Sequence, residues 1–443
     1  MLKAHEYIAQ IFAAMVMVAV SLSLAQCSQQ EPPRGMIPWP AVPTPTGSAK
    51  HQLTKLDWNA KIFSTDGDDG LFIASSQYQM LQYGDLMQRT PHVTDNSWRI
   101  DRVDLNNSQR TVFAESARSV TDYGITNDFY KHTILDFLVM PCSGDLIAVG
   151  STWGTDPGGY NHDWWIRRFS SNGLEDTARW AKRFSAGDWG IGAPFAISRD
   201  SLSNIYVAGI YSTRSGQDWW IKKFDPQGNE DTVRWNLKLD ANNGHDVAYA
   251  MTIDSTDNLY IAGSARNLAA PDSYDDWSIR KFDAQGNEDL SNWNKTFDGG
   301  RRSDAVRAIA TEGGDNLYAV GFAERAGTNT TARYGLVKKF APDGTEDTIN
   351  WNKKIPEFSE LTAIYIDKSG IVYVGGIAAK GAFVLGFDAN GREIFSANFA
   401  AGDWAIPKSI LMRNALLHLG GYTCCQPDVQ AWYESVPLQE RVK

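Results

Sequence analysis

Four aspartates recur at one place in a repeated sequence, just ahead of an apolar run: Asp188 before Trp189, Asp246 after His245, Asp304 after Ser303, and Asp403 before Trp404. Carboxylates drawn from successive repeats can do two things. Converging on one opening, they form a polar ring that holds a cation, a sugar or a peptide amine. Kept apart, each accepts hydrogen bonds from backbone amides and fixes the start of its own repeat. Recurrence in copy after copy favours the second reading, because a true site breaks the symmetry of a repeat. A second set of chemically capable residues lies where the copies disagree, in the segments 151–162, 210–217, 264–275 and 322–333. These carry Trp153, Tyr160, His162, Tyr211 and Tyr274, with Arg214, Arg266 and Arg325 among them. Aromatic faces with a few polar groups suit stacking on a sugar ring or packing against a peptide.

Catalytic constellations are harder to find. The seven histidines include His132, His162, His245 and His418, which are too few and too far apart in sequence to assign, and no Ser-His-Asp set or zinc-ligand spacing stands out. No catalytic residue is assigned, and a hydrolase or lyase acting at the mouth of a central channel stands as the alternative to binding. No cofactor is expected. Calcium is a minor candidate in the turn Asp225–Asp231, where oxygen side chains alternate as in calcium loops. Ser170 and Ala341 replace the leading aspartate in other copies, and the turn needs polar residues in any case.

The elements that must position these residues come from the repeat itself. DWWIRRFSSNGLEDTARW at 163–180 returns as DWWIKKFDPQGNEDTVRW at 218–235, as DWSIRKFDAQGNEDLSNW at 276–293 and as YGLVKKFAPDGTEDTINW at 334–351. The turn glycines Gly173, Gly228, Gly286 and Gly344 are therefore 55, 58 and 58 residues apart. A second phrase lies between copies: NIYVAG at 204–209, NLYIAG at 258–263, NLYAVG at 316–321 and IVYVGG at 371–376. Weaker relatives at 70–75, 145–150 and 415–421 bring the total to seven units.

Each unit reads as four short strands. An alternating apolar run such as 248–254 is strand one and the YVAG phrase is strand two. The WWIKKF run is strand three, and a run such as VRWNLKL at 233–239 is strand four. Four antiparallel strands per repeat describe the blade of a β-propeller, an all-β fold, here with seven blades and six as the alternative. In strand two Ile205 and Val207 face one way and Tyr206 and Ala208 the other, so both faces are apolar, as a strand between neighbouring blades requires. Asp200, Asn204, Asp254 and Asn258 suit turn caps, and Trp180, Trp235, Trp293 and Trp351 suit wedges between blades. The pairs Arg167-Arg168 and Lys222-Lys223 read as long side chains reaching solvent from an outer strand.

The phrases D-W-x-I-K-K-F-D-x-x-G-x-E and D-x-x-x-N-x-Y-V-A-G resemble the bacterial β-propeller repeat often called the SBBP repeat. The resemblance is specific over 163–351, fair to about 421 and weak over 58–150. It implies a propeller in an extracytoplasmic setting and brings no reaction with it. Closing the ring calls for an N-terminal strand to complete the last blade, with residues from about 50 to 63 as candidates.

Residues 51–443 are assigned to this ring. Residues 1–26 read as a signal peptide, with an apolar stretch from about Ile8 to Leu24 behind Lys3. Leu24-Ala25-Gln26-Cys27 resembles a lipobox whose Cys27 would carry lipid, although Gln26 stands where a small residue is usual. Cleavage after Ala25 and an uncleaved membrane anchor are the alternatives. The Ser-, Gln- and Pro-rich segment 27–50 reads as a tether. The expected location is the bacterial cell envelope, anchored by lipid to the outer membrane, or else the periplasm or the medium. A formal charge of −10 argues against a nucleic-acid partner, and a monomer that binds a protein, peptide or glycan is expected. Of the remaining cysteines, Cys142 and the pair Cys424-Cys425 fall on opposite faces of such a ring, so a bridge between them is disfavoured. A Cys424–Cys425 disulfide, a soft-metal site and free thiols stay open.

Overall fold

A computed structural model of the chain describes residues 50–52, 57–64, 70–77, 97–104, 110–115, 133–141, 143–153, 162–185, 192–212, 216–240, 244–266, 274–299, 303–324, 333–357, 360–378, 381–399, 405–413, 416–423 and 431–437. Among them are twenty-eight strands in seven antiparallel sheets of four. The first described strand is the short β1 (Lys50–Gln52). Blade one is β2 (Asp57–Ser64), β3 (Gly70–Gln77), β4 (Ser97–Asp104) and β5 (Arg110–Glu115). Blade two is β6 (Thr133–Val139), β7 (Leu146–Trp153), β8 (His162–Phe169) and β9 (Lys182–Phe184). Blade three is β10 (Ala193–Arg199), β11 (Ile205–Ser212), β12 (Gln217–Phe224) and β13 (Leu237–Leu239). Blade four is β14 (Val247–Ile253), β15 (Leu259–Arg266), β16 (Asp275–Phe282) and β17 (Lys295–Phe297). Blade five is β18 (Ala305–Thr311), β19 (Leu317–Glu324), β20 (Arg333–Phe340) and β21 (Lys353–Glu357). Blade six is β22 (Leu361–Ile366), β23 (Val372–Ala378), β24 (Gly381–Phe387) and β25 (Glu393–Phe399). Blade seven is β26 (Ala405–Arg413), β27 (Leu416–Thr423) and β28 (Ala431–Pro437), and β1 completes it.

The first strands touch one another in a cycle, β2 to β6, β10, β14, β18, β22, β26 and back to β2. That closed cycle makes the fold a seven-bladed propeller with strand one of each blade innermost. The seam pairs Lys50 with Glu434, His51 with Tyr433 and Gln52 with Trp432. The closing strand is thus confined to the start of the expected 50–63 window, because 57–64 forms the inner strand of blade one.

The sequence phrases explain the stacking. Ile205 and Val207 pack with Trp164 and Trp180 of blade two, while Tyr206 and Ala208 pack with Leu259 and Ile261 of blade four. The glycine that ends each YVAG phrase sits against a bulge in strand one. A Cβ on Gly209 would stand 1.9 Å from the Ala193 carbonyl oxygen, and one on Gly263 1.8 Å from that of Val247. No side chain fits there.

Strand four is shorter than the sequence suggests. The residues ahead of β13 form a single helical turn, in which Trp235 N donates to the Asp231 carbonyl and Arg234 N to Asp231 Oδ1. Trp235 therefore ends a turn rather than lying in a strand, and its ring meets Tyr206 at 4.9 Å and Phe282 of the next blade at 6.1 Å. Trp180, Trp293 and Trp351 are buried in the same way against Phe224, Phe340 and Phe387.

The basic pairs do not all reach solvent. Strand three lies inside the blade stack, so both of its faces are covered and charge there needs a partner. Lys222, only 3% exposed, pairs with Glu230, and the neighbouring Lys223 lies 3.7 Å from Asp200. Arg167 with Glu175, Arg280 with Glu288 and Lys338 with Glu346 repeat the first pairing. The recurrent Glu of the turn is a counter-ion.

Candidate functional site

One face of the ring collects the loops from strand two to strand three and the crossovers from one blade to the next. On this face the first residue of strand three grips the crossover. Gln217 N donates to the Gly244 carbonyl at 3.1 Å, and Asp246 N donates back to the Gln217 carbonyl at 2.7 Å. Asp304 N does the same to the Asp275 carbonyl at 2.6 Å.

The recurrent aspartates act locally. Asp246 Oδ1 accepts from Arg266 N at 2.8 Å, and Asp304 Oδ1 accepts from Glu324 N at 2.7 Å while its other oxygen accepts from Gly299 N. Both are buried, so each ties the start of one blade to the end of that blade's second strand. For Asp246 and Asp304 this is the backbone-anchoring arrangement. Asp188 and Asp403 lie outside the described residues.

The aromatic and histidine candidates separate. Tyr274 is 54% exposed and stands at the entry to β16. Tyr211 is half-buried within β11, with its ring 5.3 Å from Trp220 and the Lys238 ammonium 3.4 Å from its centroid, so it packs its own blade. His162, expected on a ligand-facing loop, is instead the first residue of β8 and 3% exposed. Burial pushes its imidazole down to about 3, which leaves it neutral. The backbone of Trp153 ends β7 opposite His162; its side chain, like Tyr160 and all of Cys27, Cys142, Cys424 and Cys425, lies outside the described residues. In the turn Asp225–Asp231, Asp225 Oδ1 accepts from Gln227 N and Asn229 N, so the turn itself uses that oxygen.

Two carboxylate clusters were not singled out in the sequence. Asp218, Asp240 and Asp246 bring oxygens within 4.8 Å of one another, and Asp276, Asp298 and Asp304 repeat the arrangement one blade on. Asp218 and Asp276 are the aspartates of the repeated Asp-Trp step, while Asp240 and Asp298 follow strand four directly. The signal was present as an acid one residue past the last strand, but only the register across strands three and four brings it to the Asp-Trp step. Burial, followed by the charges of Asp240 and Asp246, pushes Asp218 up to about 6. Burial likewise carries Asp275 to about 6 and Asp304 to about 8. A different solution holds at blade five, where Arg333 bonds Glu324 at 2.7 Å and Arg307 bonds Glu360 at 2.7 Å. Although burial pushes Glu360 up, the Arg307 and Arg333 guanidiniums hold it below the usual carboxylate range.

No protein-family model matches the chain. No curated protein matches it. Solved structures do. The crystal structure of polysaccharide lyase Uly1 superposes with a TM-score of 0.51 at 9% identity, covering 86% of this chain and 89% of that one. The extracellular domains 1–2 of Drosophila Semaphorin 1b follow with a TM-score of 0.49 at 11% identity, covering 88% and 86%. At such identities the first likeness is one of fold, and the chain is a β-propeller by that comparison as by its own strand order.

Proposed function

We propose that this propeller is a non-catalytic binding protein of the bacterial cell envelope, held to the outer membrane through lipid on Cys27, with a protein, peptide or glycan bound on its loop face. The observation that carries this reading is how the copies differ. In four consecutive blades strand three opens with His162, Gln217, Asp275 and Arg333, and strand two closes with Trp153, Ser212, Arg266 and Glu324. Beneath that rim strand three repeats closely, as HDWWIRRF, QDWWIKKF and DDWSIRKF. Variable residues at the loop rim of a rigid scaffold are where binding groups gather, and Tyr274 offers an exposed ring there.

A hydrolase or lyase at the channel mouth is the second reading. In its favour, Asp218, Asp275 and Asp304, all with raised affinity for a proton, gather on the same face. Against it, the clusters occupy equivalent positions in two successive blade junctions, and Asp304 is already committed to two backbone amides.

The test is a glycan and peptide array probed with the full chain and with Trp153→Ala, Tyr160→Ala and Tyr274→Ala variants. Binding that weakens at least tenfold in these variants supports the assignment. Binding unchanged in all three overturns the assigned face. Release of new ends from a polysaccharide or peptide panel overturns the non-catalytic reading.

A further inference from the structure

Asp218 is a carboxylate that the protein itself does not satisfy. It is 7% exposed, its Oδ1 is shut off from solvent, and that oxygen has no hydrogen-bond partner. What faces it instead is more negative charge: Asp240 and Asp246 contribute oxygens within 4.8 Å. The cation nearest in effect is Lys238, whose ammonium sits over Tyr211, 3.4 Å from the ring centroid. Leaving a buried anion among like charges is costly unless a cation enters.

Blade two meets the equivalent carboxylate with an arginine. Asp163 stands in blade two where Asp218 stands in blade three and Asp276 in blade four, each second in its strand. In blade two Arg183 Nε reaches Asp163 Oδ2 at 2.7 Å, and the register puts Ser185 and Gly192 at the two other acid positions, while Asp188 of the same crossover, grouped with Asp246 and Asp304 by sequence, lies outside the described residues. Blade three puts Lys238 at the arginine position and blade four puts Thr296 there. Both have gained two acids, Asp240 with Asp246 and Asp298 with Asp304. In blade five the strand-three aspartate is itself gone, replaced by Tyr334. Blade four adds two acids where the cation is lost to Thr296, and blade three adds two against the single cation Lys238, which is the reverse of what charge balance alone would select.

We propose that Asp218, Asp240 and Asp246 bind a calcium ion at the junction of blades three and four, and that Asp276, Asp298 and Asp304 bind a second at the next junction. Calcium takes oxygen ligands at about 2.4 Å, so oxygens sharing one ion lie at most about 4.8 Å apart. All six donors are carboxylates, without the nitrogen or sulfur that zinc or copper prefers. The donors come from strand three, from the end of strand four and from the residue before the next blade, so each ion pins a crossover between blades.

The experiment is calorimetric titration of calcium into the chelator-stripped full chain, with melting curves alongside. The expected result is two calcium ions per chain and a melting temperature raised by about 3 °C for each ion, about 6 °C for both, at a hundred times the dissociation constant. Asp218→Asn and Asp276→Asn should each remove one ion. Because asparagine removes repulsion, Asp218→Asn in chelator should melt at or above the wild type, which separates a lost ligand from a damaged fold. Terbium added to the wild-type chain should show emission sensitised by Trp219 and Trp277, the residues that follow the two aspartates, and this readout needs no variant. No heat, no melting shift and no terbium emission at about 10 mM ion, above the weakest extracellular calcium modules, overturns the proposal. So does binding that persists undiminished in the Asp218→Asn/Asp276→Asn double variant.

Discussion

Trp235 of blade three packs against Phe282 of blade four, ring centroids 6.1 Å apart at an interplanar angle of 57°. The indole belongs to a turn rather than to a strand, so it is held by its own blade through Tyr206 and spends its other face on the neighbour. Blade adhesion therefore rests on a side chain that the sheet hydrogen bonds do not hold directly.

Removing that side chain should loosen two blades at once. Trp235→Ala is expected to cost about 3–5 kcal/mol, as large aromatic truncations in cores do, and Trp235→Phe distinctly less. Chemical denaturation midpoints of the two variants against the wild type check this. A cost below about 1 kcal/mol for the alanine variant would show that the interface does not depend on the ring.

Glycines of similar appearance should differ sharply. Gly263→Ala places a Cβ 1.8 Å from the Val247 carbonyl oxygen, with backbone on both sides, and is expected to cost about 3 kcal/mol or more. Gly313→Ala meets nothing within 4 Å, and its effect should be neutral or a gain of about 0.4–1 kcal/mol from the unfolded chain. Thermal melts of the two single variants decide the ranking.

Acid should weaken the fold through its buried imidazoles. Burial pushes His162 down to about 3 and His418 to about 4, whereas an unfolded histidine takes its proton near pH ~6.5. Between those limits the unfolded chain binds more protons, so this stabilisation is complete above about 6.5 and is lost as pH falls toward 3 to 4. Asp218, Asp275 and Asp304 work in the opposite sense, since their raised values favour the folded state at low pH and that contribution fades as pH rises. His418→Gln, compared with wild type at each pH from 7.5 to 4 by denaturant midpoint, isolates one imidazole, and the variant's midpoint should fall less steeply with acid.

Tyr274 and Tyr211 should divide function from fold. Tyr274→Ala, at a ring 54% exposed, is expected to change stability by less than about 0.5 kcal/mol while weakening ligand capture at least tenfold. Tyr211→Ala strips the ring from beneath Lys238 and from the edge of Trp220, and should cost about 1–3 kcal/mol of stability. Melting curves and array binding on the same preparations measure both.

The residues that made the fold legible are those whose job is identical in each blade. Gly209 and Gly263 announce strand two because a bulged neighbour leaves no room for a Cβ, and the alternation of Ile205 and Tyr206 announces a strand with two buried faces. Strand four was overextended because VRW reads as β-sheet by composition, while Asp231 caps a helical turn through those residues. Lys222 misled because a charge beside a charge looks solvent-bound, and its counter-ion Glu230 stands eight positions away across a turn. The carboxylate clusters were hidden for a related reason. Asp240 sits 22 positions from Asp218 and gains meaning only from the register that sets Trp220 opposite Lys238. His162 looked like loop because strand three begins one residue before the repeated phrase does.

The seam between β1 and β28 joins the first-made strand of the ring to the last-made one. During synthesis blades one to six can stack as they emerge and β26 and β27 then meet β2, but blade seven lacks its two outer strands until 431–437 arrives. Locking is then a single late event involving three residue pairs. A chain truncated between β27 and β28 would retain most of its packing and still display sheet edges, so damage near the C-terminus should appear as self-association before it appears as unfolding.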